Sequence, residues 1–95
     1  MFIIEDEIHA EPQEGKFETF EQALKILKDR AEIPYDQEPN RCPCTNWKNC
    51  ERRYQIIEYN DNDIPWKELD RQDILTVSAK GIKWNEKIKT RYNIG

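Results

Sequence analysis

The sequence predicts an α+β domain in which one helix packs on a small, mainly antiparallel sheet, in the order strand, helix, strand, hairpin. Three observations predict it. A capped amphipathic segment runs from Thr19 to Ala31, an Ile-containing stretch precedes it and one rich in Tyr and Ile follows it, and a Lys-Gly turn joins two short apolar runs near Trp84.

The first strand is read over Phe2 to Ala10. Phe2, Ile4, Ile8 and Ala10 share one face by period two, with Asp6 an intruder on it, while Ile3, Glu5, Glu7 and His9 share the other. Pro12 and Gly15 mark a turn. Thr19 is the expected N-cap of the helix, because Gln22 stands three residues on and each side chain can satisfy the other's free backbone N–H. Glu21 suits the positive end of the helix dipole, and Lys28 and Arg30 the negative end. Phe20, Ala23, Leu24, Leu27 and Ala31 form the apolar stripe, Ile26 widens it, and Pro34 ends the helix.

Residues 34–50 form a long connection that carries Pro34, Pro39, Pro43 and all three cysteines. Connections of this length are usually functional or pinned by something. Strand character returns from Arg52 to Tyr59, Asn60 to Asp63 form a polar turn, and Pro65-Trp66 opens an irregular stretch. Ile74 to Ser78 alternates as a strand with Leu75, Val77 and then Ala79 on one face, Lys80-Gly81 turns the chain, and Ile82 to Trp84 returns. Residues 1–85 thus make one domain, and residues 86–95 read as a Lys-rich edge strand or a flexible tail.

Length and composition narrow the function classes. Ninety-five residues fit one core, and three Trp, four Tyr and three Phe supply bulk for it despite a charged fraction of 36%. The longest apolar run, Met1 to Ile4, is far too short to span a bilayer and is followed by acids, so neither a membrane segment nor a signal peptide is expected. An odd count of three cysteines does not suit a secreted disulfide scaffold, which points to a reducing cytoplasm. The net charge of −4 divides as eleven acids against four bases in residues 1–40 (−7) and eight against eleven in residues 41–95 (+3). That balance argues against a general nucleic-acid binder, although Trp47, Lys48, Arg52, Arg53 and Tyr54 interleave aromatic and basic groups as single-strand binders do.

Cys42, Cys44 and Cys50 are the one concentrated chemical signal. With His9, the sole histidine, they could make a Cys3His zinc site pinning the connection to the first strand, but C-x-C followed by five residues is not the usual knuckle spacing. Arg41, Lys48, Arg52 and Arg53 surround the thiols in sequence, and positive charge lowers a thiol's pKa, so Cys44 and Cys50 could alternatively serve a redox enzyme or sensor. The simplest expectation is reduced, partly buried thiols with no cofactor. A cysteine nucleophile would need His9 as its base, and no nucleophile elbow, P-loop or H-E-x-x-H is present, so a non-catalytic protein is expected.

The runs Glu7-Ile8-His9-Ala10-Glu11, Phe17 to Ala23 and Pro43 to Cys50, continued by Tyr54 to Tyr59, Pro65-Trp66 and Val77 to Trp84, resemble those of small uncharacterised bacterial proteins. The resemblance covers residues 2–84 and implies a bacterial origin but no site. The functional expectation is therefore a small cytoplasmic domain that binds another protein, as an inhibitor or immunity-type partner does. Its candidate contacts are Tyr35, Arg41 and Trp47 on the long connection and Trp84 at the hairpin end, residue types that dominate interface energy. The rival expectations are the thiol-based redox protein and the zinc-stabilised module. The sequence leaves oligomeric state open.

Overall fold

The computed structural model describes residues 1–8, 11–12, 15–38, 40–41 and 51–94, with backbone alone for 11–12. Its elements are β1 (Phe2–Asp6), β2 (Glu11–Pro12), α1 (Phe20–Ala31), β3 (Glu51–Asn60), β4 (Lys67–Ser78), β5 (Gly81–Trp84) and α2 (Glu86–Arg91). The strands form one antiparallel sheet in the order β2-β1-β3-β4-β5, and α1 packs on it, as an α+β fold requires.

The helix forms where its capping signals put it. Gln22 N–H donates to Thr19 Oγ1 at 3.2 Å, and Gln22 Oε1 accepts from the Thr19 N–H at 3.3 Å, completing the capping box. Ala23, Leu24 and Leu27 are buried against Ile4, Tyr54, Ile56, Leu75 and Val77. Burying each of the larger apolar side chains contributes on the order of 1.5–3 kcal/mol.

Register assigns the two faces of the sheet. Phe2, Ile4 and Asp6 stand opposite Glu58, Ile56 and Tyr54, and Tyr54 and Arg52 stand opposite Leu75 and Val77, so these residues share the helix-covered face. Ile3 opposite Ile57, and Glu5 opposite Gln55, lie on the other. A β-bulge interrupts the β3–β4 ladder where Tyr54 pairs with Leu75 and Gln55 with Asp73. Ile74 is the extra residue, and both Ile74 and Leu75 are buried, a pattern simple alternation cannot produce. The hairpin turns at Gly81, whose φ of +113° is a backbone conformation that L side chains rarely adopt.

Pro12, read as marking a turn, lies in β2 opposite Glu5, and the structure departs from the sequence expectation at three further places. β1 ends at Asp6 rather than Ala10, because the Asp6 carboxylate accepts the Ile8 N–H at 3.1 Å and turns the chain, leaving Ile8 exposed. β4 begins at Lys67, seven residues before Ile74, since its first half has Leu69 as its sole apolar residue and carries no alternation to read. Residues 86–94 form neither an edge strand nor a tail. Asn85 Oδ1 caps α2 by accepting the Lys87 N–H at 2.9 Å, Ile88 enters the core, and Tyr92 stacks on Phe20 at 5.3 Å between ring centroids. Lys87, Lys89 and Arg91 remain exposed on the outer side of this single amphipathic turn and a half.

Candidate functional site

α1 covers one face of the sheet, and among the described residues no helix covers the other. That second face divides into an apolar groove and a belt of charge. The groove, about 230 Å³ in volume, is lined by Ile3, Glu5, Ile57, Tyr59 and Trp66. Ile57 lies at its floor between its cross-strand partners Ile3 and Arg71 and is only 1% exposed. The Tyr59 and Trp66 rings line it and pack against each other, with centroids 6.0 Å apart and planes inclined by 52°. Trp66 is 40% exposed, and Lys16 Nζ stands 4.5 Å from its ring centroid. Ile64, nearby in the chain, is 97% exposed, and Leu69 is also exposed.

The belt is cross-linked. Arg71 donates to Glu5 at 3.1 Å, to Glu68 at 2.8 Å and to Gln55 Oε1 at 2.7 Å. Gln55 Nε2 in turn donates to Glu7 at 2.6 Å and Asp73 at 2.7 Å, and Arg53 reaches Glu7 at 3.3 Å. The Arg71 hydrogen bond holds the Glu68 carboxyl below the usual range, and the Glu68 bond holds the Arg71 guanidinium above its own, so both stay charged at neutral pH. On this side Glu5, Glu7, Glu51, Glu68 and Asp73 stand with Arg53, Arg71, Lys83 and, over Trp66, Lys16, so the two signs nearly balance.

A second polar constellation lies inside the molecule. Asp6 is fully buried, and its carboxylate accepts from Arg52 at 3.1 Å and from the Arg53 N–H at 3.1 Å. Arg52 also donates to the carbonyls of Asn40 at 3.0 Å and Arg41 at 2.5 Å. Asn40 Nδ2 donates to the carbonyls of Arg30 at 2.7 Å and Ile33 at 2.8 Å, which closes the C-terminal end of α1, and Asn40 Oδ1 accepts from the Tyr54 hydroxyl at 2.9 Å. Burial pushes the Tyr54 phenol above its ordinary value against the opposing pull of Arg30 and Arg52. Among the described residues no buried side-chain donor or acceptor lacks a partner. The cluster ties the start of the long connection to β1 and β3, and its chemistry is that of a brace.

The candidate contact residues fall in separate places. Tyr35 is half-buried against the core and lines a groove of about 300 Å³ with Pro34, Val77, Ala79 and Ile82, so the connection and the hairpin do meet. Arg41 is exposed, and its carbonyl is held by Arg52. Trp84 is half-buried against the core and lines a different groove of about 450 Å³ with Arg53, Thr76 and Lys83. Trp47, Cys42, Cys44, Cys50 and His9 lie outside the described residues, and with them the zinc and redox readings.

Sequence reasoning missed the Trp66 groove as a unit, since Ile3, Ile57, Tyr59 and Trp66 come together only through strand register. It also missed the buried brace, although Asp6 on the apolar face of one strand and Arg52 in phase with Tyr54 and Ile56 on another were its visible signature. Comparison with family models, with curated proteins and with solved structures finds no match to this chain. No helix among the described residues is long and apolar enough to cross a membrane.

Proposed function

We propose that the protein is a non-catalytic, cytoplasmic protein-binding domain of inhibitor or immunity type, and that it binds through the uncovered sheet face around Trp66. The observation that carries this reading is a partly exposed aromatic groove set in a belt of cross-linked charge, with exposed Ile64 and Leu69 close to Trp66 in the chain. Such a combination of an apolar centre and a polar rim is the anatomy of a protein interface. Among the described residues, the carboxylates and guanidiniums of this face engage one another or Gln55, which stiffens a contact surface and leaves little freedom for proton transfer. Preorganised side chains lower the entropy that a partner must overcome on docking.

The test is affinity capture from the native host with tagged wild type and Trp66→Ser in parallel, each checked by circular dichroism. The expected result is a stoichiometric protein partner held by wild type and lost by a variant whose melting curve is unchanged. Equal capture by both proteins would remove Trp66 from the interface, and absence of any captured protein would remove the binding reading itself.

A further inference from the structure

We propose that the outer edge of β5 binds an extended segment of another polypeptide, added to the sheet as an antiparallel strand with an apolar side chain beside Tyr35 and an acidic one beside Lys83. The site goes beyond the Trp66 reading. It lies on a different strand from that groove, and its ligand is distinct from the partner proposed there.

The register of the hairpin fixes which main-chain groups are free. Ser78 stands opposite Gly81 and Thr76 opposite Lys83, and the Asn85 N–H donates to the Ile74 carbonyl at 2.8 Å. Hydrogen-bonded pairs alternate along an antiparallel ladder, so Gly81, Lys83 and Asn85 bond inward to β4. The N–H and C=O groups of Ile82 and Trp84 therefore point away from the sheet. β5 is its last strand on this side, and no described residue bonds those groups. Two donors and two acceptors at strand spacing are what a peptide backbone satisfies by adding as a further strand.

The side chains along this edge define the ligand further. Ile82 stands opposite Val77 on the helix-covered face and is 45% exposed. Beside it opens the groove of about 300 Å³ between the end of α1 and the hairpin, lined by Ala31, Pro34, Tyr35, Val77, Ala79 and Ile82. A residue paired with Ile82 shares its face, so an apolar side chain at that position covers Ile82 and turns toward the groove. An acid there would meet Glu32, which lines the same groove. Lys83 lies on the opposite face, in one row with Thr76 and Arg53. Arg53 is engaged by Glu7 and Glu51, whereas Lys83 and Lys80 form no ion pair with a described residue. A residue opposite Lys83 sits at the closer, non-hydrogen-bonded spacing, where a carboxylate complements the ammonium. The ligand pattern is thus apolar, acidic, apolar. A short strand bearing lysines is also how proteins discourage edge pairing, but that role requires neither an exposed isoleucine nor an apolar groove beside it.

The test is a titration of the full-length protein followed by NMR, with the blocked pentapeptide Thr-Leu-Glu-Leu-Thr at low salt and up to millimolar concentration. Two variants of it are run beside it, one with a central lysine and one N-methylated at both leucines, which keeps the side chains and removes the main-chain donors. The parent peptide is expected to shift the Ile82 and Trp84 amides and the Tyr35 ring and to leave the Trp66 indole unmoved. The lysine peptide should bind at least about threefold more weakly, the difference between unlike and like cross-strand charges. Loss of two hydrogen bonds should weaken the N-methylated peptide at least about fivefold. In Lys83→Glu the preference should reverse, with the lysine peptide the tighter ligand. Absence of binding, shifts centred elsewhere, equal affinity of the N-methylated peptide, or a charge preference unchanged in Lys83→Glu would each overturn the proposal. Because the peptides probe the β5 edge alone, none of these outcomes bears on the capture experiment at Trp66.

Discussion

Replacing Arg52 by Met is expected to cost about 3–5 kcal/mol of stability, the usual consequence of removing one partner from a buried ion pair. Arg52 is 3% exposed and Asp6 is wholly buried, so water cannot take over the role of the lost guanidinium. Asp6 keeps its bonds from the Ile8 and Arg53 N–H groups, but the Asn40 and Arg41 carbonyls lose donors along with the carboxylate. The methionine stem fills most of the vacated volume, so the penalty is mainly electrostatic. Against a total of about 5–15 kcal/mol for a domain of this size, the variant should be close to unfolded at 37 °C. The assay is urea denaturation followed by far-ultraviolet circular dichroism, for wild type, Arg52→Met, Asp6→Leu and the double variant. The double variant carries no unpaired charge and should be more stable than the sum of the single losses allows, by at least about 1 kcal/mol. A loss within about 0.5 kcal/mol for Arg52→Met, or strict additivity, would refute the buried pair as the brace of the fold.

Three further outcomes are expected, two from the structure and the last from the sequence alone. Leu24→Ala should cost about 2–5 kcal/mol in the same assay, since Leu24 is 2% exposed on the sheet-facing stripe of α1; a change within about 0.5 kcal/mol would mean that the helix face is misassigned. The Tyr54 phenol is raised above 10.0 in the folded chain, so its contribution is complete below that pH and is lost as pH rises through the folded value. Urea midpoints should therefore fall on the alkaline side more steeply for wild type than for Tyr54→Phe, and identical slopes would contradict the assignment. Purified under native conditions, the protein should hold Cys42, Cys44 and Cys50 reduced and free of metal; stoichiometric zinc by elemental analysis, weakened by His9→Ala, would favour the zinc module, and a native disulfide by mass spectrometry the redox reading.

Local signals in the sequence carried the fold where the physics is local. The capping box at Thr19 and Gln22, the stripe of Ala23, Leu24 and Leu27, and the Lys80-Gly81 turn each depend on neighbours within a few residues, and each forms as its spacing dictates. α2 was legible only in part. Ile88 and Tyr92 have helical spacing and Asn85 is a good N-cap, but two apolar side chains among lysines are equally compatible with an edge strand until Phe20 and the core supply a surface to cover. The burial of Ile74 beside Leu75 was not legible, because a bulge depends on the partner strand, which no single stretch encodes. The candidate site suffered most, since its residues come from β1, β3 and the turn before β4 and meet only through register. Asp6 and Arg52 are 46 residues apart, and only the pairing of β1 with β3 makes an intruder on one strand the partner of an intruder on the other.

On this reading the uncovered sheet face, and not the Tyr35 loop or the hairpin end, meets the partner. Hydroxyl-radical footprinting of the free domain and of its captured complex tests it directly, because oxidation reports side-chain exposure residue by residue. Strong protection of Trp66, Tyr59 and Ile64 is expected in the complex, with Tyr35, Ile82 and Trp84 oxidised as in the free protein. Protection of Tyr35 and Ile82 with Trp66 unchanged would contradict it and move the interface to the groove between the connection and the hairpin.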